Sequence, residues 1–293
     1  MASLRSLYVP RMLYGTAWKQ ARTEALVLQA IQSGFRAIDT AAQPKHYQED
    51  LVGNAVRSAI QRGIVKRKEL YIQTKFTSIA GQDPSRGMPY DKNAKLEDQV
   101  HASIASSLRN FSVDVGEKPY LDCLVLHSPL PSMAETLRVW RVLESYVPHQ
   151  IRSLGISNVY SLSVLENLFG NANIQPSVVQ NRFCQEVGYG KEIYGFCKEK
   201  DIVFQSFWTL TANPELLASK PVGSLADEMG ISRQAALYNL LVRKGGWSIL
   251  NGTTNEERME SDLASLDKFD EWAAKNRERK AELEKDFESL LVR

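Results

Sequence analysis

The chain has 293 residues, enough for one large domain or two of average size, and its 43% hydrophobic and 24% charged residues are ordinary globular usage. Its 36 Lys and Arg against 34 Asp and Glu leave a net charge of +2, which argues against a polycation built for nucleic acid or an acidic membrane. With 17 Gly and 11 Pro scattered along it, and no apolar run near the roughly 18–20 residues of a membrane span, the composition excludes a fibre, a disordered tail and a membrane protein.

The first residues, 1–18, carry no long apolar stretch with a cleavage site, so secretion is not expected. Three cysteines, Cys123, Cys184 and Cys197, form neither a disulfide framework nor a CxxC metal site. A reducing, cytoplasmic home follows, and the sequons at Asn110 and Asn251 then carry no weight.

Short β-prone runs alternate with segments of helical spacing. A strand over 12–15 leads to a helix over 23–33, and a strand over 36–39 to a helix over 51–60. A strand over 70–76 is followed by a loop over 77–93, long enough to be a lid or binding loop, and by a helix over 96–108. Strands over 120–126, 152–157, 178–183 and 202–207 then alternate with helices over 133–146, 162–169, 193–198 and 235–241. The eighth strand runs over 247–250. Ser157 with Asn158, and Ser232, read as helix starts, and a further helix begins near Asn255. The charged tail predicts a terminal helix over 269–293, with Trp272, Leu283, Phe287, Leu290 and Leu291 able to dock one face. Eight strand–helix units in one stretch predict an α/β fold, a (β/α)8 TIM barrel with a C-terminal helix, as a single domain over 1–293.

Chemistry in such barrels sits at the C-terminal ends of the strands. There the runs end in Asp39, Lys75, His127, Ser157 with Asn158, Gln180 and Phe207. Each alone would be an ordinary rim or packing residue. A carboxylate, an amine and an imidazole on successive strand ends, with Tyr47 in the loop after the second, can converge on one point. Tyr47 carries its proton at neutral pH, and a nearby Lys75 ammonium would lower its pKa and stabilise the phenolate. Asp39 would keep Lys75 charged and in place, and His127 would orient a carbonyl oxygen.

In this order the residues resemble the aldo-keto reductase family. The resemblance runs over nearly the whole chain: Gly15-Thr16, Ala37 to Ala41, Gln73-Thr-Lys75, Leu126-His-Ser-Pro129, Gly155-Ile-Ser-Asn158 and Val179-Gln-Asn181. It implies the catalytic set Asp39, Tyr47, Lys75 and His127, and a hydride supplied by NADP(H), with NADH possible. The family places its Tyr five residues after the Asp. Here the interval is eight, and Gln43-Pro-Lys45 reads as the insertion. No Rossmann fingerprint is present, because Gly188 to Gly195 lacks the spacing and the preceding strand.

By the same resemblance, Ser157, Asn158 and Gln180 meet the nicotinamide carboxamide and Phe207 stacks on its ring. Trp208 and Leu210 lie in the loop over the pyrophosphate, and Gly15 and Thr16 flank the other side. Asn251 and Gly252 stand where the family has Lys and Ser, so Asn251 is expected in the cofactor site, with Thr253, Thr254 and Arg258 as candidate phosphate donors, aided by the helix after Asn255. His127 and Trp18 face the substrate, while His46 reads as a loop residue. Loops 77–93 and 211–223 and the tail are expected to shape the pocket.

The partner is then a small-molecule carbonyl substrate, with no nucleic acid and no membrane, in a monomer or weak homo-oligomer. Residues 225–240 mimic a helix-turn-helix, but the second helix carries one Arg among apolar residues and belongs in a core. The other rival is a barrel that binds nucleotide without turnover, as a redox sensor or partner subunit.

Overall fold

Each strand is short, apolar and buried, and none could stand alone; the chain's answer is to pair every strand on both sides. In the computed structural model, which describes residues 9–113 and 118–291, eight parallel strands close on themselves in sequence order, with β8 pairing β1, so no edge is left unpaired. They are β1 (Met12–Gly15), β2 (Ala37–Asp39), β3 (Tyr71–Phe76), β4 (Cys123–Leu126), β5 (Leu154–Ser157), β6 (Val178–Arg182), β7 (Val203–Phe207) and β8 (Trp247–Asn251).

Alternate residues of a strand share a face. One face of the ring fills the barrel with Leu13, Ala37, Tyr71, Cys123, Val125 and Val178. The other packs on the helices, where Trp140, Phe35, Phe111 and Phe204 are fully buried. The helices are α1 (Thr23–Gln32), α2 (Glu49–Gln61), α3 (Leu96–Asn110), α4 (Met133–Glu144), α5 (Leu162–Asn171), α6 (Lys191–Glu199), α7 (Pro214–Ala218), α8 (Lys220–Met229), α9 (Arg233–Val242), α10 (Glu256–Lys275) and α11 (Arg277–Leu290). All three cysteines are buried free thiols.

Some helix starts fall as expected. The Ser232 hydroxyl accepts the Ala235 N–H at the start of α9, and Asn255 Oδ1 accepts the Arg258 N–H at the start of α10. Ser157 and Asn158 are a correction. The Ser157 hydroxyl donates to Gln180 O at 2.6 Å and Asn158 Nδ2 to His127 O at 2.8 Å, so they tie neighbouring strands together. The helix waits until Leu162, after Ser161.

The tail also differs from expectation. In place of one helix over 269–293 there are two, α10 and α11, broken at Asn276, whose Nδ2 donates to Trp272 O at 2.8 Å. Phe269 is a buried core residue of α10, while Leu283 and Phe287 of α11 seal against the barrel's helices. Residues 292–293 of the expected helix, and 1–8 of the leader reading, lie outside the described residues. Residues 235–242 of α9 are all buried, so the second helix of the helix-turn-helix likeness packs in the core over most of its length, as its apolar residues predict. Among the described residues no helix is long and apolar enough to cross a membrane.

Candidate active site

The strand C-termini open into a cavity of about 670 Å³. At its base Lys75 and Asp39 form a fully buried ion pair, Nζ to Oδ2 2.6 Å, and Nζ also donates to Thr40 O at 2.8 Å. Burial alone would pull the Lys75 ammonium down; the Asp39 and Tyr47 charges outweigh it and hold its pKa above the usual value. The free Asp39 oxygen, Oδ1, accepts from Gln73 Nε2 at 2.7 Å and Gln180 Nε2 at 2.9 Å.

Tyr47 reaches this pair although eight residues separate it from Asp39. The extra residues are used up in a turn, where Gln43 O accepts the N–H groups of His46 at 3.1 Å and Tyr47 at 3.0 Å. Just beyond, Glu49 at the start of α2 is buried and accepts from Ser107 Oγ at 2.9 Å, Asn110 Nδ2 at 2.8 Å and the Thr74 hydroxyl. The first end of the loop carrying Tyr47 is held to β3 by the Ala42 N–H, which donates to Lys75 O at 3.1 Å, and the second end by Glu49.

The Lys75 Nζ lies 5.1 Å from the centre of the Tyr47 ring, and the His127 ring stands edge-on to it at 6.1 Å. Burial raises the Tyr47 phenol, Lys75 lowers it and Asp39 raises it, with a net rise. The lowering expected from Lys75 is therefore present but outweighed. His127 Nδ1 is 2.6 Å from Thr77 Oγ1. Burial, then the Lys75 and His46 charges, push its pKa down to about 3, so the ring is neutral.

The other expected residues divide into two groups. Gly15, Trp18, Ser157, Asn158, Gln180, Phe207, Trp208, Leu210, Thr253 and Arg258 all line the cavity with Asp39, Tyr47 and His127. Trp18 and Trp208 are 61% and 48% exposed at its mouth, both with left-handed backbone. Thr16 does not line it: its hydroxyl and N–H both donate to Asp39 O at 3.0 Å, so it fixes the end of β2. Asn251 lies on the wall, but its side chain is committed. Nδ2 donates to Asp262 Oδ2 at 2.8 Å, and Oδ1 accepts the Thr253 N–H at 2.9 Å, tying β8 to α10.

The first turn of α10 carries Glu256 and Glu257, which oppose the pull of its N-terminus on an anion. No described residue of 77–93 or of the tail beyond Asp262 lines the cavity, and Thr211 alone does so from 211–223. The long loop instead packs on the barrel rim, with Gln82 Nε2 donating to Ala42 O at 2.9 Å and Tyr90 to Thr77 O at 2.7 Å.

Several wall residues lie outside the expected set, among them Lys19, Arg182, Gln234, Tyr238 and Asp262, and His46 has more than the loop role expected of it. His46 does reach the mouth, its ring 3.8 Å from that of Trp18. Lys19 follows Trp18 and donates to Gly252 O, strapping the β1 loop to the β8 loop. Arg182 stacks on Trp208 at 4.1 Å. The strand period could have found Arg182, which stands two residues beyond Gln180 on the same face. Lys19, Arg182 and Arg258 stand outside the ion pairs found among the described residues. A cavity of this size, with three cations lacking carboxylate partners and exposed aromatic rings, fits an anionic dinucleotide.

Fold and site together define a (β/α)8 barrel of the oxidoreductase class. The chain belongs to the aldo/keto reductase family, whose model matches residues 12–283. It is 28% identical to an uncharacterised oxidoreductase of Schizosaccharomyces pombe over 88% of this chain and 82% of that one. It is 28% identical to the D-galacturonate reductase of Fragaria ananassa over 83% of this chain and 76% of that protein. Among solved structures, a Bombyx mori aldo-keto reductase in complex with NADP superposes with a TM-score of 0.70 at 24% identity, over 92% of this chain and 89% of that chain.

Proposed function

We propose that this protein reduces an aldehyde or ketone to an alcohol with NADPH, Tyr47 giving the proton. The observation that carries this is the convergence of Tyr47 and His127 on one cavity above the buried Lys75–Asp39 pair. The reductase and NADP-bound relatives support it.

Bound NADPH supplies the hydride that adds to the carbonyl carbon. Ser157, Asn158 and Gln180 would hold its carboxamide, Phe207 its ring, and Lys19, Arg258 and Thr253 its phosphates. Lys19 then stands in for the lysine missing after β8. With the Thr77 hydroxyl donating to Nδ1, neutral His127 offers its Nε2–H to the carbonyl oxygen. Tyr47 passes its proton to that oxygen, and Lys75 stabilises the phenolate left behind. Asp39 holds Lys75 charged. Because the Tyr47 pKa is raised, the donor form persists through neutral pH and reduction falls only above the ordinary tyrosine range. Alcohol oxidation needs the phenolate and rises with pH instead. Trp18 offers a flat apolar wall to the substrate, and three buried thiols fit a reducing, cytoplasmic home.

The test is NADPH oxidation over aromatic, aliphatic and sugar aldehydes and ketones, repeated with NADH and with Tyr47→Phe. Turnover should fall by about 10³-fold in the variant while NADPH affinity, read by fluorescence quenching, is unchanged. Full activity in Tyr47→Phe removes Tyr47 as proton donor. Tight NADPH binding with no turnover in the wild type would make this a nucleotide-binding barrel instead.

A further inference from the structure

Beneath the cavity lie three buried glutamines whose amide orientations follow from charge alone. Gln73, Gln180 and Gln205 come from β3, β6 and β7; Asp39 is in register with Gln73, and Gln180 with Gln205. Asp39 Oδ2 is bound to the Lys75 ammonium, so Asp39 is a carboxylate and its Oδ1 can only accept. The atoms that approach Oδ1, from Gln73 at 2.7 Å and Gln180 at 2.9 Å, must therefore be NH2 groups. The same two NH2 groups lie 2.7 and 2.9 Å from one atom of Gln205, which must then be its oxygen. Gln205 Nε2 is left to donate to Gln73 Oε1 at 3.0 Å. Turning any one amide over would set two acceptors or two donors face to face in a dry interior.

One atom of the set remains. Gln180 Oε1 takes no hydrogen bond from the described residues, is not sealed away, and belongs to a residue lining the cavity. We propose that Gln205 and Gln73 are positioning residues that lock Gln180 with its oxygen toward the cavity, as an acceptor for an N–H of the nicotinamide carboxamide. The proposal rests on the cofactor reading above. Neither glutamine touches the cofactor; each acts through Gln180. The charge that holds Lys75 thereby also sets which end of Gln180 meets the carboxamide.

A cofactor analogue reads that orientation. In the reduced 3-acetylpyridine analogue of NADPH a methyl group replaces the carboxamide NH2, so it has no N–H to give. Dissociation constants are measured for NADPH, the analogue and 2′,5′-ADP, which lacks the nicotinamide. The wild type should bind the analogue about tenfold more weakly than NADPH, the cost of one hydrogen bond and an unpaired acceptor.

In Gln205→Leu, the Gln180 NH2 keeps Asp39 Oδ1 but loses its second acceptor, so the Gln180 oxygen is held less firmly toward the cavity and the ratio should fall to about threefold. Affinity for 2′,5′-ADP should not change, whereas general damage to the barrel would move it. Gln73→Leu frees Gln205 and makes the same prediction by a second route if Gln205→Leu fails to fold. Equal wild-type affinity for NADPH and the analogue, or a ratio unchanged in the variants, overturns the proposal. Failure of the wild type to bind NADPH at all overturns the cofactor reading instead.

Discussion

Burial and the Lys75 charge hold His127 neutral down to about pH 3, while an unfolded histidine takes a proton near 6.5. Between those values the unfolded chain binds a proton that the folded chain refuses. The stability this group contributes is therefore complete above about pH 6.5 and is lost as pH falls toward 3. From pH 7 to pH 5 the loss is about 2 kcal/mol from His127 alone. Urea unfolding of the wild type and of His127→Asn at both pH values isolates it, because other groups, Glu49 among them, titrate in both proteins. The gap between the two should narrow by that amount, and a constant gap would mean that His127 titrates normally when folded. At this scale Asp39, Lys75 and His127 were legible because each ends an apolar run. Asn251 reads as a cofactor residue because nothing local shows the partner its side chain takes in the fold, Asp262.

The elements carry the site through a few close contacts. Gly53 of α2 packs so tightly on the end of α3 that a Cβ there would collide with the Asn110 carbonyl. Gly53→Ala should therefore lower stability by about 2–3 kcal/mol, seen as a drop in Tm. An unchanged Tm would show that the two helices can part. Glu49 lies four residues before Gly53 on the same helix, so loosening this contact should also slow turnover through Tyr47. Most strands and helices could be located from their period, their ends to within a few residues. The 43–47 turn, the break at Asn276 and short α7 could not. The first two depend on hydrogen bonds closed within the folded chain, and α7 spans only 5 residues, too few to show a helical repeat.

At the scale of the whole molecule, α11 is a brace. Phe287 and Leu283 are 1% and 2% exposed, and no residue of α11 lines the cavity. Phe287→Ala should cost about 3–4 kcal/mol of stability and leave KM for NADPH and for a carbonyl substrate unchanged. A changed substrate profile in that variant would give the tail a part in specificity. The strand count, the parallel barrel and the residues at its mouth were written in the chain, because alternation, run length and run ends are local properties. Closure decided the rest. It sets Gln73 against Gln205 across 132 positions and Arg11 against Asp270 across 259. It chooses which polar side chains are used up as struts, like Thr16 and Asn251, and which stay free toward the cavity, like Arg182 and Arg258. The reason is that a hydrogen bond or an ion pair goes to whatever lies within about 3 Å, and only the closed ring determines what that is.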